Sequence, residues 1–303
     1  TDKILRPFEP LRVSKDVARV WGRTLTYGKR LLPASILSRN EELLAAPVRF
    51  RLRSGDKLET LEISGATKSA SALALVREGQ TTVRGLRLQG RQTLEYDGCL
   101  KLELDVFPSG AVPVQELSFE IPLRPEVARY LHTCRADWAS SRSQAIPRDG
   151  WKSKFMPFLW VGDEDRGLAW FSETDESFRV ADANAVLEIV PSAKQTVLRV
   201  HVLDTPTELR EPLKLVFGLQ PTPVRPVPAR KARIWHGAHF GMENETAGGA
   251  GYLKLPAAGN LDLRRGTLEI VATLDFDPEE AAQTKHNHIL FRLAQANGDQ
   301  VCL

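Results

Sequence analysis

Two apolar runs on either side of a short acidic loop constrain the fold of this chain more than any other stretch. The runs cover residues 158–161 (FLWV) and 168–171 (LAWF), and Gly162 and Gly167 bound the loop between them. Aromatic and aliphatic runs around a glycine-bounded polar loop are typical of a β-hairpin. Because both arms are apolar at nearly every position, we expect the hairpin to be buried in the core of a β-sandwich.

The loop of this hairpin, residues 163–166 (DEDR), has two interpretations. Its carboxylates, with Glu173 and Asp175, could supply a catalytic pair, since glycoside hydrolysis uses two carboxylates about 5–10 Å apart. Turn chemistry and solvent exposure also place acidic residues at a hairpin tip. The composition of the loop favours a turn over an active site.

Short strand patterns recur through the first 220 residues. Residues 100–107 (LKLELDVF) alternate strictly between apolar and charged side chains, which predicts a half-buried antiparallel strand. Residues 48–52 (VRFRL) also alternate, and further strands are predicted at residues 185–190, 196–203 and 213–220. Repeated short strands with hardly any helical periodicity predict an all-β fold, an antiparallel β-sandwich.

Two connections in this region are predicted from turn chemistry and polarity. Gln89-Gly90 is predicted to be the hairpin turn between strands at residues 81–88 and 91–96. Residues 135–154 are polar and are predicted to form a long loop, which in a compact domain is usually functional or mobile. Trp138 and Trp151 lie in this loop, where an exposed indole could stack on a sugar ring. Both residues are therefore candidate carbohydrate-binding positions, and the alternative is that they cap the core.

Composition excludes several classes of function. The chain has 303 residues, 42% of them hydrophobic and 26% charged, which fits a soluble globular protein of about two domains. No apolar run approaches the roughly 20 residues of a membrane span. The net charge of +3 is small and dispersed, which argues against nucleic acid as a partner.

The chain is predicted to divide into a sandwich domain (residues 1–220), a proline-rich linker (221–233) and an incomplete second β domain (234–303). Four prolines between residues 221 and 228 favour an extended, stiff linker. Residues 289–293 alternate like a strand, and Asn297-Gly298-Asp299 predicts a hairpin turn before the last residues. Because Leu303 falls within a predicted strand, we expect the protein to continue.

The histidines and cysteines form no recognisable metal or catalytic motif. His236, His239, His286 and His288 include a His-x-His pair that zinc could use, but no third ligand is fixed by spacing, and loop histidines are the simpler interpretation. Cys99, Cys134 and Cys302 fit neither a metal spacing nor a disulfide framework, and one pair could bridge in an oxidising compartment. We expect no metal site in the sandwich.

Several strings of the first 220 residues resemble the N-terminal domain of glycoside hydrolase family 123 and related hydrolases. They are Trp21-Gly22-Arg23, Leu32-Pro33, Tyr96-Asp97-Gly98, Ile121-Pro122-Leu123 and residues 158–173 (FLWVGDEDRGLAWFSE). In that family a β-sandwich packs on a (β/α) barrel that removes terminal β-linked N-acetylgalactosamine by a substrate-assisted mechanism. The resemblance implies a secreted or periplasmic enzyme whose glycan substrate is bound by the full-length protein.

The catalytic residues of that family cannot be placed in this chain. They belong to the barrel, and no alternation of strands and helices occurs here. Residues 234–303 instead resemble the start of a laminin-G or concanavalin-like jelly roll, through residues 251–276 (GYLKLPAAGNLDLRRGTLEIVATLDF). Sites in such modules often hold calcium, so calcium is the one cofactor that this second resemblance suggests.

The resemblances together predict a non-catalytic portion of a glycoside hydrolase. In this interpretation the sandwich and the jelly-roll segment support a downstream catalytic domain of the same protein and contribute to glycan binding. The alternative is a stand-alone carbohydrate-binding or adhesion module that uses exposed tryptophans. A third hypothesis makes the chain itself a hydrolase that uses the carboxylates of the acidic hairpin.

Overall fold

The structure, a computed structural model, describes residues 3–134, 141–224, 292–294 and 300–302. The chain divides into two compact units, Thr1–Lys254 and Leu255–Leu303. Strands are numbered β1 to β24 along the chain. The helical element of the described residues is one 3₁₀ turn, Ala183–Ala185, so the predicted all-β class is confirmed.

The larger sheet of the first unit contains the predicted hairpin, next to its central strand. Within residues 3–134 and 141–224 its antiparallel strands lie in the lateral order β15 (Ser141–Ala145), β14 (Tyr130–Cys134), β17 (Phe158–Gly162), β18 (Gly167–Phe171), β22 (Leu213–Thr222), β11 (Leu100–Pro108), β10 (Leu86–Glu95), β9 (Ala74–Val83) and β8 (Ser64–Ala70). Strands β17 and β18 pair directly through Gly162 and Gly167, and the prediction of this hairpin is confirmed.

The smaller sheet faces the larger one across the core. Among the described residues its strands lie in the order β16 (Trp151–Ser153), β19 (Leu187–Pro191), β20 (Thr196–Leu203), β13 (Glu116–Leu123), β6 (Arg49–Arg53) and β7 (Leu58–Leu61). Phe50 and Phe119 of this sheet contact each other. The ring centroids of Phe119 and of Phe217, on β22 of the larger sheet, are 5.1 Å apart. Trp170 on β18 contacts the same Phe217, so aromatic rings join the two sheets. The predicted antiparallel β-sandwich is confirmed.

A meander precedes the sandwich in the chain. Its strands are β1 (Arg12–Ser14), β2 (Val17–Val20), β3 (Arg23–Thr26), β4 (Ser35–Ser38) and β5 (Glu41–Glu42). A separate short ribbon pairs β12 (Val112–Val114) with β21 (Thr207–Leu209). Leu25, Tyr27 and Ile36 of the meander are fully buried and belong to the same core as the two sheets.

The predicted turn at Gln89-Gly90 is wrong. Both residues lie in the middle of β10, and the chain turns instead at Arg84-Gly85, where both backbones have positive φ. Gly90 is required for another reason: a Cβ there would lie 2.3 Å from the Leu31 side chain. The glycine therefore marks a close approach between strand and meander rather than a turn.

The predicted loop at residues 135–154 is also partly wrong. It contains β15 and β16, each at an edge of its sheet. Edge strands need only one hydrogen-bonded neighbour and tolerate a polar sequence, so the strand signal there is weak. The alternating strand at residues 100–107 is confirmed as β11, with Leu100, Leu102, Leu104 and Val106 buried.

In the second unit the structure describes one antiparallel pair. Strand β23 (Arg292–Ala294) pairs with β24 (Gln300–Cys302), with Ala294 opposite Gln300. This pairing agrees with the predicted hairpin around Asn297-Gly298-Asp299, whose turn residues lie outside the described residues. Most of the predicted linker and of the jelly-roll segment also lies outside them, and both remain predictions.

Candidate functional site

The candidate site is the place where the chain leaves the sandwich. Strand β22 ends at Thr222, and Pro223 and Val224 follow it; residues 220–224 are called the exit segment below. Strand β22 lies between β18 and β11, so the exit segment starts from the centre of the larger sheet. Side chains from distant parts of the chain converge on it.

Arg23, the first residue of β3, is the main side chain that holds the exit segment. It is 2% exposed, and its guanidinium donates hydrogen bonds to the carbonyl oxygens of Trp21 (2.6 Å), Pro223 (3.2 Å), Val224 and Asp97. Burial lowers the pKa of Arg23 to about 10, opposed by the nearby Asp97 carboxylate, so the group stays charged at neutral pH. A buried cation that bonds several carbonyl oxygens fixes the backbone segments that carry them.

The turn at Tyr96-Asp97-Gly98 is shaped to receive this guanidinium. Gly98 has φ +85°, and a Cβ there would lie 2.5 Å from an Nη atom of Arg23. The Gln220 side-chain amide also donates to the Asp97 carbonyl, at 3.2 Å. The structure thus joins two strings that carry the family resemblance, around Arg23 and around Asp97, to the exit segment.

The acidic hairpin contacts the exit segment from the other side. Trp160 Nε1 donates to the Thr222 hydroxyl at 2.9 Å, and the Ser38 hydroxyl donates to the Thr222 carbonyl at 2.7 Å. A Cβ on Gly162 or Gly167 would lie 2.3 and 2.6 Å from the Trp160 ring. The two glycines that bound the hairpin loop therefore make room for the indole that bonds Thr222.

The loop between those glycines is a turn held by internal hydrogen bonds, and the sequence favours a turn at this place. Asp163 is 8% exposed and accepts hydrogen bonds from the backbone N–H groups of Asp165 and Arg166, both at 2.8 Å, and from Arg166 Nε at 3.2 Å. Burial raises the pKa of Asp163 above its ordinary value, against the opposing effect of these bonds. The same Arg166 forms a 2.6 Å ion pair with Glu41 of the meander.

The other two carboxylates of the loop are also bound by arginines. Asp165 pairs with Arg39 at 2.8 Å. Glu164 pairs with Arg129 at 2.8 Å and accepts a hydrogen bond from the Tyr130 hydroxyl at the same distance. Each carboxylate of the tip is thus committed to a cation, an arrangement that ties the hairpin to its neighbours.

The two candidate tryptophans cannot be compared directly, because Trp138 lies outside the described residues. Trp151, on the edge strand β16, is partly exposed and packs against the core. It lines a shallow groove of about 200 Å³ formed by residues 149–152 and 188–190. Gly150 has φ +92°, and a Cβ there would lie 2.7 Å from the Ile189 carbonyl oxygen, so the groove depends on a glycine at this turn.

A charged row that sequence reasoning missed crosses the outer face of the smaller sheet. Its members are direct cross-strand neighbours of alternating sign: Lys152, Glu188, Arg199, Glu120 and Arg49. The contacts along the row measure 3.2, 2.8, 2.9 and 2.8 Å. The alternation at residues 48–52 is the one sequence signal for this row, and it does not reveal the partners.

Glu188 is contacted by three side chains, those of Lys152, Arg199 and His201. Burial opposes its ionisation, yet hydrogen bonds from His201 and Lys152 and the charge of Arg199 outweigh burial and lower the pKa of Glu188. Among the described residues no three His, Cys, Asp or Glu side chains form a group that could hold a metal ion. The four histidines near the linker and the predicted calcium-binding segment lie outside those residues. Within the part of the chain that is described, no helix is long and apolar enough to cross a membrane.

Several solved structures of enzymes are similar to part of this chain. A protein in glycosyl hydrolase family 38 from Enterococcus faecalis matches with 10% identity and a TM-score of 0.48, over 72% of this chain and 31% of its own. The α-N-acetylgalactosaminidase NagBb from Bifidobacterium bifidum matches with 9% identity and a TM-score of 0.46, over 69% and 36%. Galactose 1-epimerase from Lactobacillus acidophilus NCFM matches with 8% identity and a TM-score of 0.41, over 71% and 97%.

This chain therefore spans about a third of the two glycosidase chains and nearly the whole of the epimerase chain. No curated protein sequence matches it significantly. The family model described as "Glycoside hydrolase 123, third domain" matches residues 11–184, which is more than half of the chain. That range contains Arg23, the Tyr96-Asp97-Gly98 turn and the acidic hairpin, and the chain belongs to the glycoside hydrolase 123 third-domain family.

Proposed function

We propose that this chain is a non-catalytic portion of a secreted glycoside hydrolase that acts on β-linked N-acetylhexosaminides. Its sandwich supports a catalytic barrel elsewhere in the same protein. Membership in the glycoside hydrolase 123 third-domain family supports the association with a hydrolase. The substrate class and the barrel are what the resemblance to family 123 implies.

The observation that carries this proposal is the hold that Arg23 has on the exit segment. Its guanidinium bonds the carbonyl oxygens of Pro223 and Val224, which lie 200 and 201 residues away in the chain. Thr222 is bonded through its hydroxyl by Trp160 and through its carbonyl by Ser38. A segment held at three successive residues has a fixed backbone as far as Val224, which suits a supporting role for the sandwich.

The test compares two buried arginines in the full-length enzyme. Arg23→Met removes the hold on the exit segment. Arg77→Met is the control, because Arg77 is also buried and also bonds backbone carbonyls, those of Gly28, Arg30 and Gly65, away from the exit. Hydrolysis of a β-N-acetylgalactosaminide and proteolysis after residue 224 are measured for both.

We expect both variants to lower the free energy of unfolding by about 2–4 kcal/mol, since each leaves buried carbonyl oxygens unsatisfied. Only Arg23→Met should speed cleavage after residue 224 and lower kcat/KM at temperatures where the sandwich is folded. Equal effects of the two variants on cleavage and on kcat/KM would contradict a supporting role of the exit segment. Absence of any hydrolysis by the full-length protein would contradict the enzymatic assignment.

A stand-alone carbohydrate-binding module is the second candidate, and the groove beside Trp151 favours it. A flat indole next to a shallow groove is a common platform for a sugar ring, and Lys152 and Glu188 at its rim offer hydrogen bonds. The test is retention of this chain on immobilised glycans. Trp151→Ala should abolish retention, whereas Trp21→Ala, a partly buried tryptophan of the meander, should not.

A further inference from the structure

Strand β6 places three arginines side by side on the outer face of the smaller sheet. Phe50 and Leu52 of this strand point into the core, and Arg49, Arg51 and Arg53 alternate with them. Their side chains are 19%, 23% and 39% exposed, so the guanidinium groups are only partly hydrated. Because residues i and i+2 lie on one face of a strand, the three charges form a continuous strip.

The carboxylates on the neighbouring strand β13 do not provide a hydrogen-bond acceptor for every arginine of this strip. Both oxygens of the buried Glu120 are occupied, one by Arg49 Nε at 2.8 Å and the other by Arg199 Nε and Nη2 at 2.9 Å. Arg51 is left at 3.8 Å from Glu120, beyond hydrogen-bond distance, and its Nε is buried with no acceptor. Among the described residues Arg51 thus lacks a hydrogen-bond partner for its guanidinium.

The outer face of the smaller sheet also carries more positive than negative side chains. Its carboxylates are Glu116, Glu120 and Glu188, whereas its cations within the described residues are Arg49, Arg51, Arg53, Arg199 and Lys152. The face therefore carries two positive charges in excess. Like charges at neighbouring positions of one face repel each other, so this excess favours the binding of an anion.

We propose that Arg49 and Arg51 form a binding site for the oxyanion of an acidic sugar, either a carboxylate or a sulfate group. The planar guanidinium offers paired N–H donors that match the oxygens of these groups. Arg49 bonds Glu120 through its Nε, and its Nη groups lie on the same face of the strand as those of Arg51, so both side chains can donate to one oxyanion. The sugar part of this proposal rests on the proposed function, and the oxyanion part does not.

The experiment is isothermal titration of the 303-residue chain with four probes. These are sodium sulfate, glucuronate, N-acetylgalactosamine 4-sulfate and neutral N-acetylgalactosamine. The variant Arg51→Gln removes the uncommitted guanidinium. Arg91→Gln is the control, because Arg91 lies on the larger sheet, is half exposed and is already paired with Glu78.

We expect the charged sugars to bind at least tenfold more tightly than inorganic sulfate, and the neutral sugar not to bind. Arg51→Gln should weaken the binding of the charged sugars at least tenfold, Arg51→Lys should recover part of it, and Arg91→Gln should leave it unchanged. Circular dichroism and melting temperature verify that each variant is folded.

Three results would overturn the proposal: no binding of any charged probe, equal loss in Arg51→Gln and Arg91→Gln, or inorganic sulfate binding as tightly as the charged sugars. The titration needs no hydrolysis, so its failure leaves the supporting role of the exit segment untouched. Loss of that supporting role would in turn leave the oxyanion result intact.

Discussion

Trp160 and Thr222 are joined by a 2.9 Å hydrogen bond from the indole Nε1 to the hydroxyl, which connects the acidic hairpin to the exit segment. Trp160→Phe keeps most of the ring and removes the donor. We expect it to lower the free energy of unfolding by about 1–2 kcal/mol, because the bond and part of the packing are lost. Amide hydrogen exchange at residues 220–224 should become faster, and mass spectrometry of the exchanged peptides measures it.

Trp170→Phe is the matched control for this prediction. Trp170 lies on the paired strand and is fully buried, but its Nε1 has no hydrogen-bond acceptor. Removing that group leaves a small cavity, costing about 1–3 kcal/mol, and no lost bond. Amide hydrogen exchange at residues 220–224 should then become faster only to the extent that the lower global stability of the variant explains. The same local acceleration in both variants would refute a specific tie between Trp160 and the exit segment.

Gly162→Ala tests the close approach of the hairpin loop to the Trp160 ring. The added Cβ would lie 2.3 Å from the ring and 2.4 Å from the Arg166 carbonyl oxygen, so ring and backbone both have to move. We expect a loss of about 2–3 kcal/mol in urea unfolding, together with a shift in tryptophan fluorescence.

Gly55→Ala separates this clash from ordinary backbone strain. Gly55 has φ +76° and open space around the position of a Cβ. Its replacement should cost about 1 kcal/mol and leave tryptophan fluorescence unchanged. A Gly162→Ala variant that is no less stable than Gly55→Ala would show that the loop relaxes without cost.

Glu188→Gln should lower stability at neutral pH and matter little in acid. The pKa of Glu188 in the folded chain lies below its ordinary value of 4.5, so its stabilising effect is complete above pH 4.5. That effect is lost as the pH falls through the lowered pKa, because the folded state must then take up a proton. We expect a deficit of about 1–2 kcal/mol at pH 7 that shrinks as the pH falls below 4.5.

Urea unfolding of the wild type and of Glu188→Gln between pH 7 and pH 3 measures this deficit. Glu126→Gln serves as the control, since the ion pair of Glu126 with Arg124 is well exposed and should contribute at most about 0.5 kcal/mol. A deficit for Glu188→Gln that stays constant across the whole range would contradict an ionic contribution.

Cys99 should react slowly with alkylating agents in the folded protein. Burial raises the pKa of its thiol to about 11, with the nearby carboxylates of Asp97 and Glu95 adding to the effect. At pH 8 the thiolate is a small minority, and the thiolate is the reactive form. Alkylation with iodoacetamide, followed by peptide mass spectrometry, should show little modification of Cys99 before unfolding and complete modification in urea.

Local patterns predicted the strands better than the connections between them. The predictions of the hairpin arms and of β11 are confirmed because the apolar pattern that buries each strand lies in consecutive residues. The prediction of a turn at Gly90 is wrong because a glycine is needed there to make room for the side chain of Leu31, 59 positions earlier in the chain. A local sequence pattern does not indicate such a contact. Polar edge strands such as β15 gave no signal for a related reason, since a strand with one partner can be polar.

The candidate site was even less accessible from sequence. Arg23 meets Asp97 at a separation of 74 residues and Pro223 at 200, so each contact depends on the completed fold. The family resemblance did single out the strings around Arg23 and Asp97, without indicating that they touch. For residues 48–52 the alternation placed the arginines on one face but could not show that Arg51 lies 3.8 Å from Glu120, too far for a hydrogen bond.

The central position of β22 has a consequence for how the protein is made. On one side of it lie β14, β15, β17 and β18, and on the other β8 to β11, all of which precede it in the chain. A growing polypeptide therefore carries two half-sheets with unprotected inner edges until residue 222 leaves the ribosome. Closure of the sandwich and fastening of the exit segment then become a single late event.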